Sequence, residues 1–270
     1  MNKYTISQFR REFNSENVCL EYVFNKRFKD IKGFYRVKGR KCWANAKGEQ
    51  IHPLAGTIFE KSSTSLQNWF YAIFLFAASR NGVSAKELQR QLGVTYKCAW
   101  RMAYQIRELM TQDGDPLEGT VEVDETYIGG RVRGNNKKKF DNKTPVMGMV
   151  ERGGKVKAFK IPNTTSKILL GKIRKNIKQG SKIMSDELWT YHNTWGMGYS
   201  HYSIMHSAKE YVRGSAHTNT IEGFWSQFKR SVSGTYHSVS KKHLQSYVNE
   251  FSFRYNHRAL PIFGALMARI

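Results

Sequence analysis

The spacing of apolar and polar residues separates a helical part of the chain from an α/β part. Residues 62–81 (SSTSLQNWFYAIFLFAASRN) predict a helix, since a Ser/Thr cluster can cap its start and Asn-Gly ends it. In VEVDETYI (121–128), valines alternate with acidic residues at the period of a half-buried strand. Between these parts, TQDGDPLEG (111–119) is polar and contains Gly and Pro, which predicts a domain boundary.

Residues 83–110 predict two short helices joined by a glycine turn. Ser84 and Thr95 can cap the helices, and Gly93 supplies the turn. This is the pattern of a helix-turn-helix unit, whose second helix reads the DNA major groove. An ordinary helical hairpin has the same pattern, so both interpretations stay open. The candidate DNA-binding residues lie near the start of the second helix: Tyr96, Lys97, Trp100 and Arg101.

Beyond residue 118 the pattern predicts three strands, a helix, two strands and two further helices. The predicted strands are 121–128, two arms of a hairpin within 145–161, 182–191 and 199–206; the predicted helices are 166–178, 220–234 and 240–258. Strands mixed with helices indicate an α/β domain. We therefore predict three modules: a β-rich, ribbon-like module (1–60), a helix-turn-helix module (61–112) and an α/β domain (118–270).

The chain is strongly basic, with 44 Lys and Arg against 21 Asp and Glu, a net charge of +23 and a pI of about 10.0. Such a charge favours polyanionic partners, nucleic acid above all. No apolar stretch reaches the length of a membrane helix, about 18 residues, and the N-terminus lacks the apolar core of a signal peptide. Three cysteines cannot build a disulfide framework, so we expect a reducing, intracellular setting.

Three acidic residues stand where elements of an α/β domain converge. Asp124 lies on the first predicted strand, Asp186 at the end of the fourth, and Glu222 in the first turn of the helix after the fifth. Ligands gather beyond strand ends, and hard cations such as Mg²⁺ take oxygen ligands. Two such ions can clamp the attacking and leaving oxygens of a phosphoryl transfer. The pattern predicts a two-metal site, with a solvated acidic patch as the alternative.

Basic residues accompany these carboxylates, as a phosphodiester substrate would require. Glu222 and Lys229 are seven residues apart, so they share one face of a helix. A plain amphipathic surface helix would have the same spacing. The basic residues singled out as DNA contacts in this part of the chain are Lys137, Lys138, Lys139, Lys229 and Arg230.

Two neighbouring glutamates differ in the strand face they occupy. Glu122 shares the face of Asp124, which makes it a candidate supporting or metal-binding residue, whereas Glu125 points the other way and is expected in solvent or in a salt bridge. The tryptophans of this part, Trp189, Trp195 and Trp225, are expected in the core rather than stacked on bases.

Three sequence blocks resemble those of DDE-type insertion-sequence transposases. They are DETYIGG, SDELWTYH and HTNTIEGFWSQFKRSVSGTYHSVSKKHLQSYVNEFSFRYNHR, and the similarity runs from residues 55–70 to 254–258. The chain is similar in particular to the subgroup with a zinc ribbon, a helix-turn-helix and an integrase-like RNase H core, to which Merlin elements are related. The resemblance implies an RNase H-like fold with a mixed five-stranded sheet and flanking helices. It also implies dependence on two Mg²⁺ or Mn²⁺ ions, cleavage at element ends, and transfer of the 3′-OH to target DNA.

By the same resemblance, Asp124 and Asp186 would be the two catalytic and metal-binding aspartates, and Glu222 the third acidic ligand. Lys229 matches a basic residue two turns further on. Some members have asparagine as the third ligand, and Asn219 stands three residues before Glu222. We favour Glu222, because a charged oxygen binds Mg²⁺ better than a neutral amide.

The ribbon departs from the pattern of its relatives, which resembles paired CxxC motifs. Cys19 and Cys42 are present, but Tyr22 and Asn45 occupy the paired positions. His52 would need a rearrangement to contribute, so we predict no structural zinc.

The sequence thus predicts a DNA transposase that binds terminal inverted repeats and acts at chromosomal DNA in the cytoplasm. It would work as a homo-oligomer, at least a dimer, without contact to a membrane. A non-catalytic DNA-binding relative and an RNase H-type nuclease without strand transfer are the alternatives.

Overall fold

A computed structural model describes residues 4–112, 114–130, 142–186, 189–203 and 217–270. Contacts divide the chain into two compact units. The first comprises Met1–Leu109 together with Ala259–Ile270, and the second comprises Met110–Arg258. This division differs from the three predicted modules, since residues 259–270 are grouped with the first unit.

The first unit combines helices with a small antiparallel sheet. Its helices are α1 (Ile6–Glu12), α2 (Glu16–Arg27), α3 (Leu66–Ala78), α4 (Ala85–Leu92), α5 (Tyr96–Glu108) and α9 (Ile262–Met267), and its strands are β1 (Tyr35–Arg36), β2 (Trp43–Ala44) and β3 (Gln50–Ile51). The β-structure predicted for the module at 1–60 is present as this three-stranded sheet. The sequence patterns had not indicated α2 and α9.

Helix α3 begins where the Ser65 hydroxyl accepts a hydrogen bond from the Asn68 amide, at 3.2 Å. Buried apolar residues occupy most faces of this helix, and Trp69 and Phe70 are fully buried against Phe59. The predicted 62–81 helix is confirmed, with its ordered turns confined to Leu66–Ala78.

Helices α4 and α5 form the predicted helical pair. Ser84 accepts from the Glu87 amide at 3.1 Å and Thr95 accepts from the Cys98 amide at 3.3 Å, so each helix has the expected N-cap. Gly93 ends α4 with φ 65°, a left-handed conformation that favours glycine.

The second unit is built on one mixed sheet. Its elements are β4 (Thr120–Gly129), β5 (Lys143–Glu151), β6 (Val156–Lys160), α6 (Ser166–Asn176), β7 (Lys182–Ser185), a 3₁₀ helix (Trp189–Met197), β8 (Ser200–Ser203), α7 (Asn219–Ser231) and α8 (Leu244–Asn256). The sheet order is β6-β5-β4-β7-β8. Strand β5 runs antiparallel to both β4 and β6, whereas β7 and β8 run parallel to β4. This is the RNase H-like arrangement that the resemblance implied, and that fold prediction is confirmed.

Strand β4 lies in the middle of the sheet and is covered on both faces. Val121 and Val123 pack in one apolar cluster with residues of α6 and the 3₁₀ helix. Ile128 faces a second cluster formed with α7 and α8, which includes Trp225 and Phe228. Both glutamates of β4 therefore lie in a strand with little access to water.

The outer edge of β6 is covered by side-chain amides. Asn256 accepts from the Val156 N–H at 2.7 Å and donates to the Val156 carbonyl at 3.0 Å. Gln112 pairs in the same way with both backbone groups of Ala158. An edge strand with unpaired backbone groups would invite pairing with another chain, and these contacts prevent it at β6.

Two predicted elements end earlier than expected. The strand predicted over 182–191 stops at Ser185, and residues from Trp189 to Met197 form a 3₁₀ helix instead. The helix predicted over 220–234 covers Asn219–Ser231 and continues into one π turn, Val232–Tyr236. Among the helices of the described residues, none combines the length and hydrophobicity that crossing a membrane requires.

Candidate active site

The register of the sheet brings Asp124 and Asp186 to the same level. In the parallel pair of β4 and β7, Val121 lies opposite Ile183 and Glu122 lies opposite Met184. Asp124 lies two residues beyond Glu122, still within β4. Asp186 lies two residues beyond Met184, directly after β7. Neighbouring strands are about 4.8 Å apart, so Asp124 in the middle of β4 lies beside Asp186 at the end of β7.

The environment of Asp124 is buried and strongly acidic. Burial, and to a smaller extent the charges of Asp186 and Glu222, raise the pKa of Asp124 to about 6. The Glu125 amide, which donates to Asp124 Oδ1 at 2.8 Å, opposes this rise. The Trp225 indole N–H also lowers the pKa of Asp124, although its geometry falls outside that of a normal hydrogen bond.

Glu125 is not the solvent-facing residue that the strand alternation predicted. It is half-buried on the opposite face from Asp124, where the Tyr191 hydroxyl donates a hydrogen bond to Oε1. Burial raises the pKa of Glu125 to about 8, with smaller contributions from the charges of Asp124 and Asp186. The expectation failed because the central strand of a layered sheet has no solvent face.

Helix α7 presents the two candidates for the third ligand. Asn219 is its first residue and Glu222 lies in its first turn, and both side chains are exposed. The Thr218 hydroxyl donates to Glu222 Oε1 at 2.8 Å. Within the described ranges, no three His, Cys, Asp or Glu side chains are gathered closely enough to hold one metal ion. Glu222 thus interacts electrostatically with Asp124 without converging on it.

Gly148 allows α7 to approach the sheet beside Asp124. It lies directly opposite Asp124 in the antiparallel pair of β4 and β5. A Cβ atom at this position would lie only 2.5 Å from Trp225 Cζ2 and 2.8 Å from Ile221 Cδ1. A glycine inside a strand is a recognised sign of close approach, but Gly148 was not among the residues predicted for the site.

The buried side chain of Glu122 holds the start of α7. Its carboxylate accepts from the backbone amides of Thr220 and Ile221, from the Thr220 hydroxyl, and from Arg152 Nε. The sequence placed Glu122 on the correct face, but it did not indicate Thr220 or Arg152 as partners.

The basic residues of α7 lie further along the same helix. Lys229 and Arg230 are exposed in its last turn, and Trp225 is buried in the core as predicted. Trp195 is 68% exposed and is not the core residue that was expected. Lys137, Lys138 and Lys139 lie outside the described residues.

The start of α5 carries an exposed aromatic and basic surface in the first unit. Lys97 and Arg101 are exposed, Tyr96 is 46% exposed, and Trp100 stacks on Tyr104 with ring centroids 5.6 Å apart. These are the side chains that the helix-turn-helix interpretation assigned to DNA.

The positions that would complete paired cysteine motifs have other roles. Tyr22 packs edge-on against Phe13 and Phe70. Asn45 accepts hydrogen bonds from the Lys47 and Glu49 amides, both at 3.0 Å, and so closes the turn between β2 and β3. Cys19 is buried in α2, and burial raises the pKa of its thiol to about 12.

The sheet order and its flanking helices define an RNase H-like fold. The chain belongs to the family of ISXO2-like transposase domains, which it matches over residues 116–256.

Among curated proteins, the chain is 24% identical to an "Uncharacterized protein in transposable element ISH50" of Halobacterium salinarum, over 74% of this chain and 72% of that protein. It is 29% identical to an "Uncharacterized transposase-like protein" of Haemophilus influenzae, over 38% of this chain and 81% of the relative.

Among solved structures, the chain resembles one chain of the simian T-cell lymphotropic virus intasome in complex with PP2A regulatory subunit B56 gamma. The two are 14% identical with a TM-score of 0.33, and the match covers 61% of this chain and 63% of that one. This similarity is too distant to bear on function.

Proposed function

We propose that this transposase binds the terminal inverted repeats of its own insertion sequence, cleaves DNA at the element ends, and transfers the 3′-OH to target DNA. The observation that carries the proposal is that Asp124, within β4, lies level with Asp186, which directly follows the adjacent parallel strand β7. Membership of a transposase family supports the choice of DNA as substrate.

The carboxylates at this strand end suit a hard divalent cation. The pKa of buried Asp124 is raised by desolvation and by the charge of Asp186, a situation that a bound cation would relieve, and Mg²⁺ and Mn²⁺ prefer oxygen ligands. Asp124 and Asp186 would hold the ions, with Glu222 as third ligand and Asn219 as its competitor. When bound, two ions would stabilise the charges on the attacking and leaving oxygens of an in-line displacement.

The residues around this pair have separate tasks in the proposal. The three carboxylates do not converge among the described residues, and Glu222 accepts a hydrogen bond from Thr218 there. In the proposal, Glu222 gives up this hydrogen bond and moves toward Asp124 and Asp186 when the ions bind. Lys229 and Arg230, about two turns further along α7, bind DNA phosphates as point charges. Lys137, Lys138 and Lys139 are proposed to contact the same DNA.

Recognition of the element ends is assigned to α5. Tyr96, Lys97 and Arg101 lie near the start of this helix, where a recognition helix contacts base edges and phosphates. Because two element ends have to be brought together, we propose that the protein acts as at least a dimer. The site of action is chromosomal DNA in the cytoplasm.

A DNA-binding relative without catalytic activity is the second candidate. It is favoured by the lack of a converged three-ligand group among the described residues and by the substituted ribbon positions. An RNase H-type nuclease would cut without preference for the element ends and would not join them to a target.

Incubating the protein with labelled DNA carrying the element ends, a target plasmid and Mg²⁺ separates these candidates. The transposase should nick at the ends and produce joined products. We expect Glu222→Gln to abolish nicking while Asn219→Ala retains it. The opposite result would make Asn219 the third ligand, and end binding without nicking by the wild type in either Mg²⁺ or Mn²⁺ would refute the proposal.

A further inference from the structure

The Glu122 carboxylate lies at the junction of three chain segments and is fully buried. Oε2 accepts from the amides of Thr220 and Ile221, at 2.8 and 3.0 Å. Oε1 accepts from Arg152 Nε and from the Thr220 hydroxyl, both at 2.8 Å. Four donors therefore converge on one buried carboxylate, and the His217 ring nitrogen Nδ1 lies 3.2 Å from Oε1.

Arg152 extends this junction to the turn between β5 and β6. Its Nη2 donates to the His217 carbonyl at 2.8 Å, and its backbone amide donates to the Thr120 carbonyl at 3.0 Å. One arginine thus ties His217, two residues before α7, to Thr120 at the start of β4. The junction joins β4, the β5–β6 turn and the first turn of α7.

These contacts are those expected of a helix anchor. The first amides of a helix have no partner within the helix, and negative charge is stabilised at a helix N-terminus. A buried carboxylate is tolerated only when it is paired and hydrogen-bonded. Because both oxygens of Glu122 are already engaged by these donors, the side chain is not available as a metal ligand.

The anchor connects the two halves of the candidate active site. Glu122 precedes Asp124 by two residues and lies on the same strand face. The two amides that it holds belong to Thr220 and Ile221, which lie between Asn219 and Glu222. Displacement of this turn would therefore move both candidates for the third ligand relative to Asp124.

We propose that Glu122 is a positioning residue that fixes the first turn of α7, and with it Asn219 and Glu222, relative to Asp124. The proposal rests on the proposed function, because the geometry it fixes is that of the metal-binding centre. Glu122 acts through α7 and touches neither substrate nor metal.

Comparison of Glu122→Gln with Glu250→Gln tests the proposal. Glu250 is also fully buried, and it is paired with Arg254 at 2.7 Å and accepts from the Tyr236 hydroxyl. The same change at both sites removes one buried, arginine-paired carboxylate, but only Glu122 contacts α7 amides. The readouts are Mn²⁺ binding by calorimetry, the Mn²⁺ concentration for half-maximal nicking, and hydrogen exchange at Thr220 and Ile221.

We expect Glu122→Gln to raise the Mn²⁺ requirement about 10-fold or more, the range found when residues that orient metal ligands are changed. Exchange at the Thr220 and Ile221 amides should accelerate in the same variant. Glu250→Gln should change neither readout, even where it lowers thermal stability. An unchanged Mn²⁺ requirement and unchanged exchange in folded Glu122→Gln would overturn the proposal.

A second variant decides the matter if Glu122→Gln does not fold. Thr220→Val removes the hydroxyl donor and keeps the β-branched shape; a raised Mn²⁺ requirement supports the anchor, and an unchanged one overturns it. If the wild type neither binds Mn²⁺ nor cuts, the proposed function fails and the positioning role fails with it. If the wild type cuts DNA but amide exchange in Glu122→Gln is unchanged, the positioning role of Glu122 is refuted and the proposed function is not.

Discussion

Replacing Gly148 by alanine should push α7 away from the strand that carries Asp124. The added Cβ would lie 2.5 Å from Trp225 Cζ2 and 2.9 Å from Cη2. The first distance is about 0.9 Å shorter than an ordinary contact of 3.4 Å. The indole ring is rigid and buried, so relief requires movement of the ring together with its helix rather than rotation of a flexible chain end.

The magnitude follows from known costs of overpacking. Extra methyl groups in a packed core cost about 1–3 kcal/mol, which lowers the melting temperature of a domain of this size by roughly 2–12 °C. A displacement of about 1 Å at a catalytic group can lower a rate about 100-fold. Under the proposed function, nicking at the element ends should therefore fall much more than DNA binding.

Calorimetric melting and the nicking assay, run on Gly148→Ala and its partners, test this reasoning. Trp225→Phe removes two of the three clashing atoms and leaves Ile221 Cδ1 at 2.8 Å. Gly148→Ala should therefore cost less in that background than in the wild type, with a coupling of about 0.5–3 kcal/mol. Gly171→Ala is the control: it lies in α6 with nothing within 4 Å of an added Cβ, and should stabilise by about 0.5–1 kcal/mol. A Gly148→Ala variant as stable and active as the wild type would refute the account.

Three further predictions concern other parts of the chain. Burial raises the pKa of Cys19 from 9.0 to about 12, so iodoacetamide should spare Cys19 at pH 8 in the native protein and label it after unfolding. The stability that the neutral thiol contributes should be lost as the pH rises from 9 to 12. Rapid labelling of the native protein would contradict this. Lys97→Ala should weaken binding to the element ends and reduce the slope of log K against log salt concentration by about 1. Lys178→Ala, which removes a lysine paired with Glu118, should change neither quantity. Equal effects of the two variants would contradict a special role of α5. Asn256→Ala leaves both backbone groups of buried Val156 without their side-chain partner and should lower the free energy of unfolding in urea by about 1–3 kcal/mol. An unchanged free energy of unfolding would show that these edge contacts of β6 do not stabilise the protein.

Local patterns were sufficient to predict many elements of the second unit. Alternation in VEVDETYI located β4, and the Gly-Gly pair after Arg152 located the hairpin between β5 and β6. Alternation also placed Glu122 and Glu125 on opposite faces correctly. It could not show that both faces are buried, because burial depends on the layers packed against the sheet, which come from distant parts of the chain.

The geometry of the site depended on long-range register. The common level of Asp124 and Asp186 follows from the pairing of β4 with β7, which no local pattern encodes. The anchor at Glu122 likewise requires α7, about a hundred residues further on, to place the Thr220 and Ile221 amides against this carboxylate. The short α9 had too few residues for its apolar spacing to distinguish a helix from a loop.

Cleavage of the element's own ends by wild type and Asp124→Asn tests directly whether Asp124 belongs to a metal-dependent catalytic centre. Each protein would be mixed with end-labelled DNA in Mg²⁺ or in chelator, with Glu118→Gln, an exposed carboxylate remote from the strand end, as the control. The account predicts Mg²⁺-dependent nicking and strand transfer by the wild type and the control, with Asp124→Asn binding the ends but cutting nothing. Equal cutting by Asp124→Asn, or cutting that persists in chelator, would contradict it.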